Sequence, residues 1–270
     1  GPGMNSELRT FLLGIVGVPL CLLGLFAAVY GDNTGAMLGL MAERTPTLLT
    51  GSPDITSLDG GFLANIAMSI IAMAIAAVGG VILGVGLIAE FSIVRHVSDV
   101  VMNVLRNSPW LVVLYAMLYL LPFEVEIFGV YVTISPFIKS VIGLSLPVAA
   151  NIAEIFRGGI QAIPSAQWES ARSLGYRRLQ ILRHIILPQA LPLMIPNLMT
   201  IYAMLFIGTS LVVVTGASDI LSAAKVIIAT TGSETASGFY IYILFLFFLF
   251  AFPIAILTRC LERRIGSVSL

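Results

Sequence analysis

Six apolar runs punctuate the chain, at about 11–30, 61–89, 102–121, 134–157, 185–213 and 239–258, with polar and charged residues gathered between them. Most reach the ~20 residues that cross a hydrocarbon layer of about 30 Å at 1.5 Å per helical residue. With no water to satisfy the backbone, a helix is the form such runs take in lipid. The pattern predicts an all-α, polytopic membrane protein with six transmembrane helices. Between the first two runs lies a polar stretch, Gly31 to Gly60, within which Ala36–Leu49 is expected to form a short amphipathic helix. Ser218-Asp219 offers an N-cap for another short helix through about Ala229, between the fifth and sixth spans. In the second run Ala72, Ala76, Gly80 and Gly84 recur every four residues, a small-residue stripe along which another helix can approach closely.

Composition supports this reading. Of 270 residues only 10% are charged, and mean hydropathy is +1.02; a soluble domain carries about a quarter charged residues. Net charge is zero, so a nucleic-acid partner is not expected. Cys21 and Cys260 lie in the first run and just beyond the last, which indicates neither a disulfide framework nor a metal cluster. Gly1-Pro2-Gly3 ahead of Met4 reads as a tag remnant. The first run follows Arg9, as in a signal peptide, but its ~20 residues exceed an apolar signal region of about 7–15, so it is expected to be a retained span. Alternate loops hold Arg95, then Arg172, Arg177, Arg178 and Arg183, then Arg259, Arg263 and Arg264; the opposite loops hold only Arg44, Lys139 and Lys225. The positive-inside rule therefore places both termini in the cytoplasm.

Two chemistries find no support. A phosphate loop needs a lysine between glycine and Ser or Thr, and the two lysines, Lys139 and Lys225, follow Ile138 and Ala224. If ATP drives this protein, another chain binds it. An intramembrane serine hydrolase needs a histidine at membrane depth, whereas His96 and His184 both fall in basic loops.

The stretch QWESARSLGYRRLQILRHIILP (167–188) stands apart as basic and helix-forming. Ser165 reads as an N-cap, residues 166–174 as a helix, Gly175 as its left-handed end, and Arg178–Leu187 as a second helical run that stops at Pro188. A bland account is an amphipathic hairpin on anionic lipid. Its spacing is more specific: Glu169-Ser170-Ala171, three residues, Gly175, nine residues, then Ile185-Ile186-Leu187-Pro188. This resembles the EAA loop of ABC importer permeases (E-A-A, three residues, G, nine residues, I-x-L-P), with Ser170 in place of the middle alanine. NIAEIFRGGIQAIPSAQWESARSLG (151–175), RNSPWLVVLY (106–115) and GTSLVVV (208–214) are similar to the polar amino acid uptake branch of that family. The likeness covers about residues 61–265 as a five-helix type I permease core, to which the N-terminal helix is an addition.

The resemblance implies a permease subunit in a bacterial inner membrane, not itself an enzyme. It would pair with a second permease, a paralogue in preference to an identical copy, above an ABC ATPase dimer that binds ATP and magnesium. An extracytoplasmic binding protein would deliver a polar amino acid or a relative such as an opine. This chain would bind no cofactor of its own. The implied units are 4–60 (N-terminal span and extracytoplasmic segment), 61–265 with a coupling loop at 160–188, and a tail at 266–270. Ser165, Gln167, Glu169, Ser170, Ala171, Arg172 and Gly175 would face the ATPase. Arg106, Asn107, Ser108, Asn151, Glu154, Thr209 and Ser210 are pathway candidates, because ionisable groups in spans face a bundle interior. Glu154, Asn151 and Thr209 could surround a midplane cavity; alternatively Glu154 and Arg157, three apart on a helix, simply pair. Asn151, Val113 and Ile207-Gly208 depart from the family pattern and leave the substrate open. The rival classes are an ion-coupled secondary transporter, for which only Glu154 qualifies as a deep acid, and a membrane scaffold that does not transport.

Overall fold

The computed structural model describes residues 2–54 and 59–268. Gly1, residues 55–58 of the polar stretch and residues 269–270 of the expected tail lie outside the described residues. In chain order the elements are α1 (Pro2–Tyr30), α2 (Thr34–Thr50), α3 (Gly61–Leu87), α4 (Ser92–Arg106), α5 (Trp110–Leu120), β1 (Glu124–Ile127) and β2 (Val130–Thr133). They continue as α6 (Pro136–Gln161), α7 (Ser165–Ser173), α8 (Arg178–Ile181), α9 (Leu187–Gly208), α10 (Ile220–Thr231) and α11 (Ala236–Val268). Among the described residues five helical segments are long and apolar enough to cross a membrane, and six if one bent pair counts as a span. The chain is an all-α, multi-pass membrane protein.

The third run is the main departure from the sequence reading. In place of a single helix over 102–121, α4 and α5 meet at a bend of 102°. Pro109 has no N–H to donate and drives Ser108 away from helical geometry. Side chains fold back onto the last carbonyls of α4: Asn107 Nδ2 donates to Asn103 O at 2.8 Å, beside the Asn107 N–H, and Ser108 Oγ donates to Val104 O at 2.6 Å. The bend frees α4 to be amphipathic, with Ile93, Val97, Val100 and Val104 exposed on one stripe and His96, Asp99, Asn103 and Arg106 along another. Two further expectations hold. The polar stretch carries a helix, α2, ended by Gly51 at φ +77, and Asp219 N-caps α10 with its carboxylate accepting from Ser222 N at 3.0 Å.

The core sits where α3 meets α6. Ala72, Ala76, Gly80 and Gly84 are all buried against it, which is the packing role of the small-residue stripe. A Cβ on Gly80 would stand 2.6 Å from Ile152, and one on Gly84 2.6 Å from Phe156. Leu114, Leu144, Val148 and Leu205 complete this core. At the hairpin-bearing end, Asn65 ties three elements together: its Nδ2 donates to the Thr209 hydroxyl at 3.1 Å and its Oδ1 accepts from Ile220 N at 3.0 Å. The added helix α1 lies along α11, with Phe11 stacked on Phe252 at 5.9 Å and Arg263 paired with a buried Glu7 at 2.8 Å.

Candidate functional site

The basic stretch folds as a short exposed helix, a tight turn and a long helix. α7 is only nine residues, and Ala171 is its sole buried member, packed with Ile163, Ile181 and Ile186. Its start differs from expectation. Pro164 occupies the N-cap with no side-chain hydrogen bond, and Ser165 is already the first helical residue. Proline fixes φ in the range an entry to a helix needs, so the hydroxyl cap is dispensed with. The other end is as the sequence implies: Gly175 takes φ +83, its N–H reaches Arg172 O at 2.9 Å, and Tyr176 N reaches Ala171 O at 3.2 Å. That pair of bonds is a Schellman motif, which closes the helix and reverses the chain within two residues.

The second helical run does not stop at Pro188. α8 passes through a π-helical segment, Leu182–Ile186, directly into α9, with Leu187 N bonded to Leu182 O. Pro188 cannot donate and would crowd the carbonyl four residues before it, and one wide turn relieves both constraints. Residues 178–208 therefore form one continuous helical path that joins the turn at Gly175 to the membrane core.

Arg178 fixes α7 against the end of α3. Its guanidinium donates to Ile88 O at 2.6 Å, reaches Glu90 at 3.4 Å and lies 5.6 Å from the centre of the Trp168 ring. These groups line a cleft of about 670 Å³ that also takes in Ser165, Glu169 and Arg172. Gln167 accepts from Gln189 Nε2 at 3.4 Å, and Gln167, Glu169, Ser170 and Arg172 are otherwise presented outward. Arg178→Ala is expected to raise hydrogen–deuterium exchange across 165–176 several-fold. Glu90→Gln should change it little, because an exposed ion pair contributes at most about 1 kcal/mol.

The pathway candidates divide into three groups. Arg106, Asn107 and Ser108 form the α4–α5 break, not the interior of a span. Asn151 caps back onto Pro147 O at 2.8 Å, and Glu154, half-buried on the same stretch of α6, pairs with Arg157. The pairing is completed by a residue that sequence reasoning did not connect. Arg157 also donates to Asp99 of α4 at 3.1 Å, giving one guanidinium between two carboxylates. Thr209 is elsewhere: fully buried, it donates to Phe206 O at 2.6 Å and accepts from Asn65, so the structure holds it in a network separate from Glu154 and Asn151. Ser210 is half-buried beside it. Asp219 was legible only as a cap. It is fully buried outside the spans, one carboxylate oxygen has no partner, and desolvation raises its pKa against the opposing hydrogen bonds from Ser222, Asn65 and Leu221. Among the described residues no cluster of His, Cys, Asp and Glu is arranged to hold a metal ion.

The fold defines a multi-pass membrane protein that presents a short, outward-facing polar helix on a tight turn. The chain belongs to the family described as binding-protein-dependent transport system inner membrane component, which matches residues 76–267. It is thus a multi-pass component of a bacterial inner membrane. The "Inner membrane amino-acid ABC transporter permease protein YhdY" of Escherichia coli K12 is 33% identical over 77% of this chain and 56% of its own length. The "Glutamate/glutamine/aspartate/asparagine transport system permease protein BztC" of Rhodobacter capsulatus is 30% identical over 76% of this chain and 47% of its own. The chain thus spans about half the length of these two relatives. The shorter "L-cystine transport system permease protein TcyB" of Bacillus subtilis is matched over 86% of its length at 28% identity. Among solved structures, a chain of an "amino acid ABC transporter with histidines" superposes with a TM-score of 0.68 at 26% identity, covering 83% of this chain and 96% of that one. A chain of the MetNI methionine transporter shares the fold, with a TM-score of 0.55 at 21% identity over 74% of this chain and 93% of its own.

Proposed function

We propose that this chain is a permease subunit of an ATP-driven importer of polar amino acids or closely related compounds. It works beside a second permease, here taken to be a paralogue, with an ATPase dimer below and a binding protein above. ATP and magnesium belong to the ATPase. In this reading both termini and residues 160–188 face the cytoplasm. The observation that carries the proposal is α7 itself: a nine-residue helix whose polar side chains point outward, closed by Gly175 and linked without interruption to α9. A partner that grips Gln167, Glu169, Ser170 and Arg172 would move α7, and the 178–208 path would carry that movement to the core. The relatives named as amino-acid permeases and the neighbouring amino acid transporter support the substrate class. Copurification with an ATPase whose hydrolysis rises with substrate, followed by binding-protein-dependent uptake of labelled amino acids in liposomes, tests it. Failure to recruit an ATPase would overturn it.

Glu154 is proposed to face the pathway. A zwitterionic substrate brings an ammonium group, and a half-buried carboxylate that shares its arginine with Asp99 keeps acceptor capacity to spare. Glu154→Gln is expected to lower uptake about tenfold, consistent with loss of one charge-assisted hydrogen bond of about 1.5 kcal/mol. Asp99→Asn, which breaks the other half of the ion pair, should cost less. Unchanged uptake and substrate-stimulated hydrolysis in Glu154→Gln would remove Glu154 from the pathway.

A further inference from the structure

Between α5 and α6, in what the hydropathy pattern left as a connecting loop, the chain forms a β-hairpin. Its register pairs Glu124 with Thr133, Val125 with Val132, Glu126 with Tyr131 and Ile127 with Val130. Directly opposed residues share a face and alternate pairs switch face. One face is therefore Val125, Val132, Ile127 and Val130, while the other is Glu124, Thr133, Glu126 and Tyr131. All but Val125 are exposed. The two-residue turn takes positive φ at both Phe128 (+51°) and Gly129 (+80°). Such turns favour Asn, Asp or Gly at the first position. Phe128 stands there fully exposed, so its ring is not held in that conformation by contacts within the chain.

We propose that the apolar face and Phe128 lie in the headgroup–acyl boundary of the bilayer, as an interfacial float at the end of the bundle opposite α7. The hairpin is continuous with an exposed apolar surface on a membrane helix: Tyr115, Tyr119 and Leu120 of α5 lead directly into exposed Phe123. It joins two membrane helices, Leu120 ending one and Pro136 beginning the next. It cannot sink into hydrocarbon, because a two-stranded ribbon has unpaired backbone groups along both edges and because Glu124 and Glu126 would go with it. At the boundary the glutamate face, with Tyr131, stays toward water, while Phe123 and Phe128 lie with the apolar face in the layer that takes up Phe and Leu of interfacial segments. No Lys or Arg occurs between Arg106 and Lys139, so the attraction is apolar, not electrostatic. The float has a purpose in this fold. At 11 residues α5 is about 16 Å long, roughly half the hydrocarbon thickness, and its length alone cannot fix its depth.

The test is spin-label depth measurement on the full chain in phosphatidylcholine–phosphatidylglycerol vesicles. Cys21→Ser and Cys260→Ser remove the native thiols, and Phe128→Cys, Val130→Cys or Glu126→Cys supplies one label each. Labels at 128 and 130 should collide with oxygen, relative to a water-soluble nickel chelate, severalfold more than the label at 126, and raising the salt should not change that ratio. Water-like ratios at all three positions would overturn the proposal. So would immobilised labels at 128 and 130 shielded from both reagents, either alone or on adding a binding protein or second permease, because the face would then belong to a protein partner. All three positions are exposed, so the labels should leave the fold intact.

Discussion

Gly175→Arg should insert and fold normally yet abolish ATP-dependent uptake. A Cβ at Gly175 would meet no heavy atom within 4 Å, so the surrounding chain leaves room for a side chain. The internal cost is conformational: φ +83 is left-handed, a geometry that costs an L-residue roughly 1–2 kcal/mol. That is small for a turn at the edge of a protein with a large buried core, and the Schellman bonds at 2.9 and 3.2 Å involve only backbone. What Arg adds is bulk and charge on the surface where α7 is proposed to enter its partner. Gly175→Ala separates the two contributions, since it carries the φ penalty with almost no reach. Uptake should be reduced but measurable in Gly175→Ala and absent in Gly175→Arg, with both proteins present in the membrane at native levels. Undiminished uptake by Gly175→Arg would show that this turn does not transmit movement.

How far the fold could be read from sequence depended on whether a signal was local. The end of α7 was legible because a Schellman turn needs one residue type at one position, and Gly175 supplies it. The spacing to Pro188 was legible too, yet its meaning was not: proline was read as a stop, whereas the π-helical turn at Leu182–Ile186 lets the helix continue. Pro109 held the opposite lesson. It breaks the third span by 102°, but a hydropathy window averages over a single residue and registers one continuous run. The hairpin fell in the loop between the third and fourth runs, where its two glutamates read as polar connection; the period of two across 124–133, with Gly129 at the turn, was the available signal. For the candidate site, the Glu154–Arg157 pair follows from helical spacing, whereas Asp99 reaches the same guanidinium from 58 positions away. Nor does a pattern of residues reveal that Thr209 is consumed by Asn65, because that contact joins α3 to the end of α9 across 144 positions.

Two adjacent glycines in α3 should respond differently to the same substitution, and only one of them should lose stability. At Gly80 an added Cβ would lie 2.6 Å from Ile152 Cβ and 2.8 Å from the Ala149 carbonyl oxygen. Neither is the far end of a flexible side chain, so α3 and α6 would have to separate. Overpacking of this kind costs about 1–3 kcal/mol. At Gly79 the nearest atom to an added Cβ is Ala149 Cβ at 3.6 Å, an ordinary contact, and the substitution replaces a poor helix former by the best, worth up to about 1 kcal/mol. Gly80→Ala should therefore lower the thermal unfolding midpoint of the purified protein in detergent, whereas Gly79→Ala should leave it unchanged or raise it. Equal shifts for the two variants would mean that the α3–α6 contact is looser than the structure has it. The distinction bears on mechanism as well as stability. Helices whose backbones approach this closely cannot slide past one another without driving Ile152 and Phe156 into Gly80 and Gly84. Any movement passed up from α7 must then rotate α3 and α6 together as one body, with the bend at Pro109 and the wide turn before Pro188 as the places where the chain can yield.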